Sequence, residues 1–190
     1  MLSTAKRGET GVLQIQLVAL ADEHVAAVYA ACRNWRELAA FGPPYWRPRS
    51  VAELRRKASA MSGPQAASEY TFVIAAVDPA LPEGEWLVGE CSIHGIDWRN
   101  RLAQVGVCIW DPKDRGCGYG GAAVREVMGW AVGFLGLRRI EAWIVEGNAA
   151  SLALFTGLGF VEEGLLRDRY LVGGRRKGMH ILAWTEDRLR

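Results

Sequence analysis

The residues of this chain that are best suited to chemistry form a glycine-dense segment. An apolar run ending at Trp110 leads to Arg115, and four of the six residues in the segment 116–121 are glycines. Glycine can adopt turn conformations that other residues avoid, and it lets a ligand approach the backbone. Such a turn, followed by a helix, can direct several N–H groups at one anion. The segment therefore predicts a pyrophosphate-binding turn, with an ordinary strand-to-helix connection as the alternative.

The elements that must position this turn follow from hydrophobic periodicity and from turn-forming residues. Asp22 is expected to cap the first helix, and Ser50 with Glu53 three residues later has the form of a capping box. Strands are predicted over 12–20, 70–77, 86–96, 103–110, 139–145, 160–171 and 176–184, and helices over 24–32, 50–61, 120–135 and 148–158.

The order of these elements predicts the sheet. Strands 86–96 and 103–110 should form an antiparallel hairpin, because only a short turn separates them. The helix after the glycine turn should cross over to a parallel strand at 139–145. The fold class is therefore α+β, with a mixed and mostly antiparallel sheet.

Two known phosphate-binding motifs can be compared with the turn. The segment 116–121 satisfies Gly-x-Gly-x-x-Gly, and Glu141 follows Gly121 by 20 residues, as a ribose-binding acid would in a dinucleotide fold. However, more than 100 residues precede the turn, the hairpin before it is antiparallel, and Glu141 lies near the start of its strand. These features disfavour a nicotinamide-dependent oxidoreductase, which stays an alternative. A Walker A loop is excluded because no Gly-Lys-Ser/Thr follows the glycines.

Length and composition limit the class of protein. A chain of 190 residues, of which 50% are hydrophobic, fits one domain at 12–190 after a flexible N-terminus at 1–11. The net charge of +2 gives no reason to expect nucleic acid or a membrane as partner. Neither a membrane span nor a secretory signal is predicted. The four cysteines lack metal-ligand spacing, so we expect a cytoplasmic protein with free thiols and no metal.

Three motifs occur in order after the predicted hairpin. Arg115–Gly120 fits the pattern Arg/Gln-x-x-Gly-x-Gly/Ala, and Asn148–Ser151 is followed by Leu158-Gly-Phe160. The third motif is Glu163-Gly-Leu-Leu-Arg167. Together they resemble the GNAT acetyltransferase family, and the third resembles the branch that contains the ribosomal-protein N-terminal acetyltransferases. The resemblance extends over roughly residues 12–184. It implies one domain of about seven strands, helices on both faces, and a splayed strand pair that holds acetyl-CoA as co-substrate.

The resemblance also implies how acetyl-CoA is held. Backbone groups of Val107 and Ile109 would bind the pantetheine arm, and the Ile109 N–H would polarise the thioester carbonyl. Arg115 would add charge or brace the turn. Asn148 would bond the pantetheine arm, cap its helix, or do both. The turn residues expected to bind the pyrophosphate are Gly116, Cys117, Gly118, Tyr119, Gly120 and Gly121.

The candidate catalytic residues depart from the family pattern at two positions. Phe155 stands where many relatives have a tyrosine acid, so Ser151, water, Tyr119 or Tyr170 would have to protonate the leaving thiolate. Gln104 stands where relatives often have a glutamate base. The two replacement candidates share one face of the preceding strand: His94, which titrates in the useful range, and Glu90, which could instead be a counter-ion for the substrate.

The acceptor pocket is expected from the early aromatic segments. Trp35, the loop 41–48 with Tyr45 and Trp46, and the loop after Tyr170 would surround an amine-bearing substrate, or these aromatics would simply pack the helices. Asp97 and Asp168 could contact a cation at the mouth, or be solvated.

The function implied is direct acetyl transfer from acetyl-CoA to a primary amine of a small molecule or a protein N-terminus. A catalytically weak acyl-CoA-binding sensor of the same fold is the alternative, because Gln104 and Phe155 remove the usual base and acid. An exposed strand near the C-terminus could pair across a homodimer.

Overall fold

The sheet and its helices account for most of the chain. The computed structural model describes residues 14–42, 45, 47–61, 63, 66–77 and 85–186. The strands are β1 (Gln14–Ala19), β2 (Glu69–Val77), β3 (Glu85–Asp97), β4 (Leu102–Ile109), β5 (Arg139–Val145), β6 (Val161–Val172) and β7 (Arg175–Thr185). The helices are α1 (Val25–Ala31), α2 (Trp35–Leu38), α3 (Val51–Ala60), α4 (Tyr119–Gly133) and α5 (Ala149–Gly157), with 3-10 turns at Asp22–His24, Ala39–Phe41 and Pro112–Asp114.

Seven strands form one sheet in the order β1-β2-β3-β4-β5-β7-β6. Every neighbouring pair is antiparallel except β4 and β5, which run parallel because α4 crosses over between them. The predicted α+β class, the β3–β4 hairpin and the parallel crossover are therefore confirmed. The parallel sheet that a dinucleotide fold requires is not what this chain forms.

The parallel pair separates soon after it begins. Paired residues run only from Leu102 with Arg139 to Gln104 with Glu141, whereas β4 continues to Ile109 and β5 to Val145. Beyond that point the two strands leave a gap in the middle of the sheet. The splayed strand pair expected from the resemblance is present.

Helices cover both faces of the sheet and bury two separate cores. On one face, α4 packs Val124 and Val127, both fully buried, against apolar residues of β2–β5. On the other face, α1 and α3 pack Val28 and Leu54 against Val73 of β2. Hydrophobic burial on both faces fixes the sheet between two helical layers.

The ends of two helices test the capping predictions. Ser50 Oγ accepts the Glu53 N–H at 3.1 Å, so the predicted N-cap of α3 is confirmed, although the Glu53 carboxylate turns to Arg47 at 2.7 Å. The prediction for Asp22 is wrong. Asp22 begins a 3-10 turn and makes no cap bond; its carboxylate instead accepts from Arg55 Nε at 3.0 Å. Residues 1–11, expected to be flexible, lie outside the described part of the chain. Among the described residues, no helix has both the length and the hydropathy of a membrane span.

Candidate active site

The glycine turn has the backbone geometry of an anion-binding loop. Gly116 and Gly118 have φ angles of +74° and +87°, a region that residues with a Cβ adopt only at a cost. Gly118 precedes α4, whose first turn contains no acidic residue. The Ala122 N–H donates to the Gly118 carbonyl at 3.0 Å, as in the first turn of a helix. The N–H groups of Gly120 and Gly121 come before this bond, at positions where an α-helix offers no acceptor of its own. An anion at this position would meet backbone N–H groups and the positive end of a 15-residue helix.

Arg115 braces this turn. Its Nε and Nη2 donate to the carbonyl oxygens of Ile109 and Trp110 at 3.1 and 2.9 Å, which ties the start of the turn to the end of β4. Its Nη1 lies 3.3 Å from Glu37 Oε1, and its guanidinium lies 5.0 Å from the Phe41 ring centroid. Of the two roles expected for Arg115, these contacts support the brace, because the positive charge already has a carboxylate partner.

The other residues expected in the turn divide between surface and core. Cys117 is partly buried, and its Sγ lies 3.8 and 3.6 Å from the carbonyl oxygens of Lys113 and Arg115. The Tyr119 side chain is buried in the core between α4 and the sheet, with 6% of its surface exposed. A Cβ on Gly120 would lie 3.2 Å from Leu154 Cδ1, so this glycine lets α5 approach α4.

The gap between β4 and β5 forms a narrow cleft. Val105, Gly106 and Val107 line one side, Trp143 to Val145 the other, and Asn148, Ser151 and Phe155 lie at the α5 end. The cleft encloses about 40 Å³, so an extended ligand arm would lie along an open groove. The Trp110 N–H donates to Val88 of β3 at 3.1 Å. Because successive residues of a strand alternate, the N–H groups of Val107 and Ile109 point the opposite way, into the gap.

Asn148 and Ser151 meet at the start of α5. Asn148 Oδ1 accepts the Ser151 N–H at 3.1 Å, which confirms Asn148 as an N-cap. This bond uses the backbone N–H of Ser151 and not its hydroxyl group. Phe155 lies one turn further along α5, 4% exposed, edge-to-face with Phe160 at 5.1 Å. The ring of Phe155 supplies shape to the cleft and no proton.

A larger cavity lies on the opposite side of β4, between the sheet and α3. It has a volume of about 320 Å³, and Glu90, Ser92 and His94 of β3 lie along it. Phe41, Gly106 and Val107 line both this cavity and the cleft. A Cβ on Gly106 would lie 3.3 Å from His94 Cε1 and 3.4 Å from Ser92 Oγ, so the missing side chain keeps the junction open. The two spaces therefore meet at Gly106.

His94 lies beside this junction in a form that can accept a proton. Its Nδ1 lies 3.2 Å from Ser92 Oγ. Burial lowers the pKa of His94 below its usual 6.5; Glu69 opposes that shift, Lys57 adds to it, and a hydrogen bond with Gln104 opposes it. At neutral pH the imidazole is therefore neutral, as a general base must be.

Glu90 lies deeper in the cavity and is held by two side chains of this chain. Arg49 Nη1 and the Tyr45 hydroxyl donate to Glu90 Oε2 at 2.7 and 3.0 Å, and the side chains of Arg49 and Glu90 are only 1% and 3% exposed. Burial, and then the charge of Glu90, raise the pKa of Tyr45, which stays a donor. Of the two roles open to Glu90, this arrangement favours a counter-ion over a base.

Several other residues predicted near the acceptor lie elsewhere. Trp35 stacks on Arg36 at 4.8 Å, and Asp97 accepts the Asn100 N–H at 2.9 Å in the β3–β4 turn. Asp168 is exposed on the edge strand β6 with a φ of +51°. The Tyr170 hydroxyl is buried on β6 without a hydrogen-bond partner among the described residues, and burial raises its pKa. Trp46 lies outside the described residues, so of the aromatics expected here Phe41 and Tyr45 line the cavity.

Four charged residues that complete the cavity were not predicted there: Arg49, Glu53, Lys57 and Glu69. Part of the signal was available for β2. Glu69 and Thr71 alternate at period two in an otherwise apolar strand, as Glu90 and Ser92 do in β3, and such alternation places polar side chains on one face. For Arg49, in a proline-rich loop, the sequence carries no comparable signal.

Glu141, the residue that would bind the ribose in a dinucleotide fold, is instead bonded to two neighbouring side chains of β5. Its Oε1 lies 2.8 Å from Arg139 Nη2, and its Oε2 accepts from Trp143 Nε1 at 3.0 Å. Among the described residues, no cluster of three or more potential metal ligands occurs.

Comparison with known proteins identifies the family. The model of the GNAT acetyltransferase domain matches residues 14–161, and the chain belongs to this family. It is 33% identical over 95 residues to an uncharacterized N-acetyltransferase, p20, of Bacillus licheniformis, covering 50% of this chain and 53% of that protein. It is 31% identical over 100 residues to the human alpha/beta-tubulin-N-acetyltransferase 9, covering 50% of this chain and 48% of that protein. The chain thus spans about half the length of these curated relatives.

Solved structures of the family share the fold. The crystal structure of spermidine N-acetyltransferase from Vibrio cholerae, in complex with CoA and spermine, has a TM-score of 0.76. It covers 92% of this chain and 96% of that chain at 21% sequence identity. The two named enzymes act on a protein and on a polyamine, so the family alone does not define the acceptor.

Proposed function

We propose that this chain is an acetyl-CoA-dependent N-acetyltransferase that transfers acetyl directly to a primary amine. One observation carries the proposal: the cleft opened by the splay of β5 from β4, the strand that leads to the glycine turn, meets at Gly106 a separate cavity lined by charged side chains. A thioester carrier and an amine could enter from opposite sides of β4 and meet there. Family membership supports the same reading.

The chain's own groups fit acetyl-CoA along the cleft. The N–H groups of Gly116 to Gly121 would bind the pyrophosphate, with Arg115 holding the turn in place. The N–H groups of Val107 and Ile109 face the cleft and would bond the pantetheine arm and polarise the thioester carbonyl. The side-chain amide of Asn148 lies at the α5 end of the same cleft.

Acetyl-CoA supplies a thioester whose carbonyl carbon the amine attacks. His94 would take the proton of the amine, because it is neutral at pH 7 and lies beside Gly106. The C–N bond forms as the C–S bond breaks, and the thiolate is protonated by Ser151 or by water, since Phe155 has no proton to give. We infer a transfer without a covalent enzyme intermediate, because none of the four cysteines is among the described residues that line the cleft or the cavity.

The wider organisation follows from the same proposal. Residues 12–190 would form one acetyltransferase domain, in the cytoplasm, where Cys32, Cys91 and Cys108 stay free thiols. The edge strand β6 is exposed along most of its length and could pair with a second copy in a homodimer.

A test of the transferase is release of CoA thiol from acetyl-CoA in the presence of a panel of amines, with the acetylated product identified by mass. Turnover of any amine would support the proposal and exclude a purely non-catalytic sensor, which Gln104 and Phe155 keep open. Binding of acetyl-CoA without turnover of any amine in the panel would favour the sensor instead.

A further inference from the structure

The acidic side chains of the cavity are each neutralised by a base of this chain. Glu53, Glu69 and Glu90 line the cavity. Glu53 lies 2.7 Å from Arg47, and Glu69 lies 2.7 Å from Lys57. Glu90 lies 2.7 Å from Arg49 Nη1. Each of the three carboxylates therefore has a cation beside it, and two of these cations, Arg49 and Lys57, line the cavity as well.

The deepest of these pairs has hydrogen-bonding capacity left on both partners. Arg49 Nη2 and Glu90 Oε1 are buried and have no hydrogen-bond partner among the described residues. Arg49 Nε also lacks a hydrogen bond, and its nearest acid is Glu53 Oε1 at 3.9 Å. Buried polar atoms are normally paired. An unsatisfied donor beside an unsatisfied carboxylate oxygen, both on residues that line a cavity, indicates a ligand that offers an acceptor and a donor together.

From these contacts we infer that the acceptor is a small zwitterion of the amino-acid class, an inference that rests on the transferase activity proposed above. Its carboxylate would accept from the free guanidinium N–H groups of Arg49, whose planar fork matches a carboxylate. Its ammonium would be held by Glu90 Oε1 before losing a proton to His94. The cavity, at about 320 Å³, has room for a small molecule of this kind.

The buried guanidinium of Arg49 also separates this cavity from one built for a polycation. A polyamine carries several positive charges and is attracted by a site with excess negative charge. Here Arg49 is buried in the cavity wall and would repel a second ammonium, whereas a carboxylate at the same place is attracted. A zwitterion satisfies both members of the Arg49–Glu90 pair and adds no net charge.

The test compares matched acceptors with acetyl-CoA and the full chain. Leucine is paired with isopentylamine and lysine with cadaverine, so that each pair differs only by the carboxylate. Spermidine and a tripeptide amide with a free N-terminus complete the panel. The expected kcat/KM for each amino acid is at least about tenfold above that of its decarboxylated partner, as one hydrogen bond to a charged group would give.

The variant Arg49→Lys tests the residue that would carry this selectivity. It keeps the charge but loses the planar fork, so the ratio between amino acid and decarboxylated amine should fall at least about fivefold. The thermal shift produced by acetyl-CoA should stay unchanged. Arg55→Lys is the matched control, because Arg55 is 63% exposed and pairs with Asp22 outside the cavity. It should alter neither quantity.

The outcomes separate this inference from the proposed function. If acetyl-CoA binds and amines are acetylated, but decarboxylated amines, spermidine or the peptide are used as well as the amino acids, the zwitterion inference is wrong and the transferase stands. The same holds if other amines of the panel are acetylated and no amino acid is. If acetyl-CoA binds and nothing in the panel is acetylated, the inference is wrong and the sensor is favoured over the transferase. If acetyl-CoA neither binds nor turns over, the transferase itself is wrong. The wild-type panel decides even if Arg49→Lys fails to fold.

Discussion

The buried ion pair between Arg49 and Glu90 makes a large and specific prediction about stability. In Arg49→Met, Glu90 loses the guanidinium 2.7 Å away, while only 3% of its side chain is exposed to water. Removing one partner of a buried pair costs about 3–5 kcal/mol of unfolding free energy. In a domain of this size, each kcal/mol moves the Tm by roughly 2–4 °C, so Arg49→Met should lower the Tm by roughly 6–20 °C.

The double variant Arg49→Met/Glu90→Leu should recover most of this loss. It removes both charges together and fills their space with apolar atoms, and such replacements are often neutral or stabilising. Arg55→Met is the matched control: it breaks the Arg55–Asp22 pair, whose side chains are 63% and 72% exposed, and should cost less than about 1 kcal/mol. The assay is thermal and denaturant unfolding of the four proteins at pH 7.

Two results would refute the reasoning. If Arg49→Met and Arg55→Met lose the same small amount of stability, the Arg49–Glu90 pair is not buried as described. If the double variant is as unstable as Arg49→Met alone, the loss comes from the shape of the Arg49 side chain rather than from an uncompensated charge.

Three further predictions concern the site. Because burial lowers the pKa of His94, kcat/KM should fall only below about pH 6.5. The free energy of unfolding should fall as the pH drops from that value through the pKa of His94 in the folded protein. His94→Gln should lower kcat about 10²–10⁴-fold and flatten both pH profiles, whereas the surface variant His180→Gln should leave kcat unchanged. Gly118→Ala, at a φ of +87°, should lose about 1–2 kcal/mol and most acetyl-CoA affinity, whereas Gly174→Ala, at +77° in the β6–β7 turn, should lose similar stability and keep the affinity. Gly106→Ala should reduce kcat/KM for the amine at least about tenfold but keep the acetyl-CoA thermal shift, because its methyl group would lie 3.3 Å from His94 Cε1.

These variants can each contradict the proposed roles. An unchanged pH profile in His94→Gln would remove His94 as the base. Equal acetyl-CoA affinity in Gly118→Ala and wild type would remove the turn as the pyrophosphate site. Full activity in Gly106→Ala would mean that amine and thioester meet somewhere else.

Local pattern predicted most of the fold. The β3–β4 hairpin, the α4 crossover and the Asn148 cap were predicted because period-two and period-3.6 apolar spacing and turn residues act locally. The prediction for Asp22 was wrong because residue type alone does not show whether a side chain far along the sequence binds the carboxylate. Here Arg55 of α3 donates to the Asp22 carboxylate.

The candidate site was predicted only where its parts are adjacent in the chain. The glycine turn is a single segment, so its residues were found together. The cavity depends on how α3 and the preceding loop dock on β2 and β3, which brings Arg49 against Glu90, 41 positions away. A tertiary contact of that kind favours Glu90 as a held counter-ion and His94 as the base, whereas residue types alone left both roles open.

The most direct test of the acetyl-CoA site is thermal unfolding of the wild-type chain with and without acetyl-CoA, with NAD as control. At about 100 times the dissociation constant, acetyl-CoA should add about 2.7 kcal/mol, a rise in Tm of roughly 5–11 °C for a domain of this size. NAD should give no rise. No rise with acetyl-CoA, or a rise with NAD alone, would contradict the assignment of the glycine turn and the β4–β5 cleft as an acetyl-CoA site.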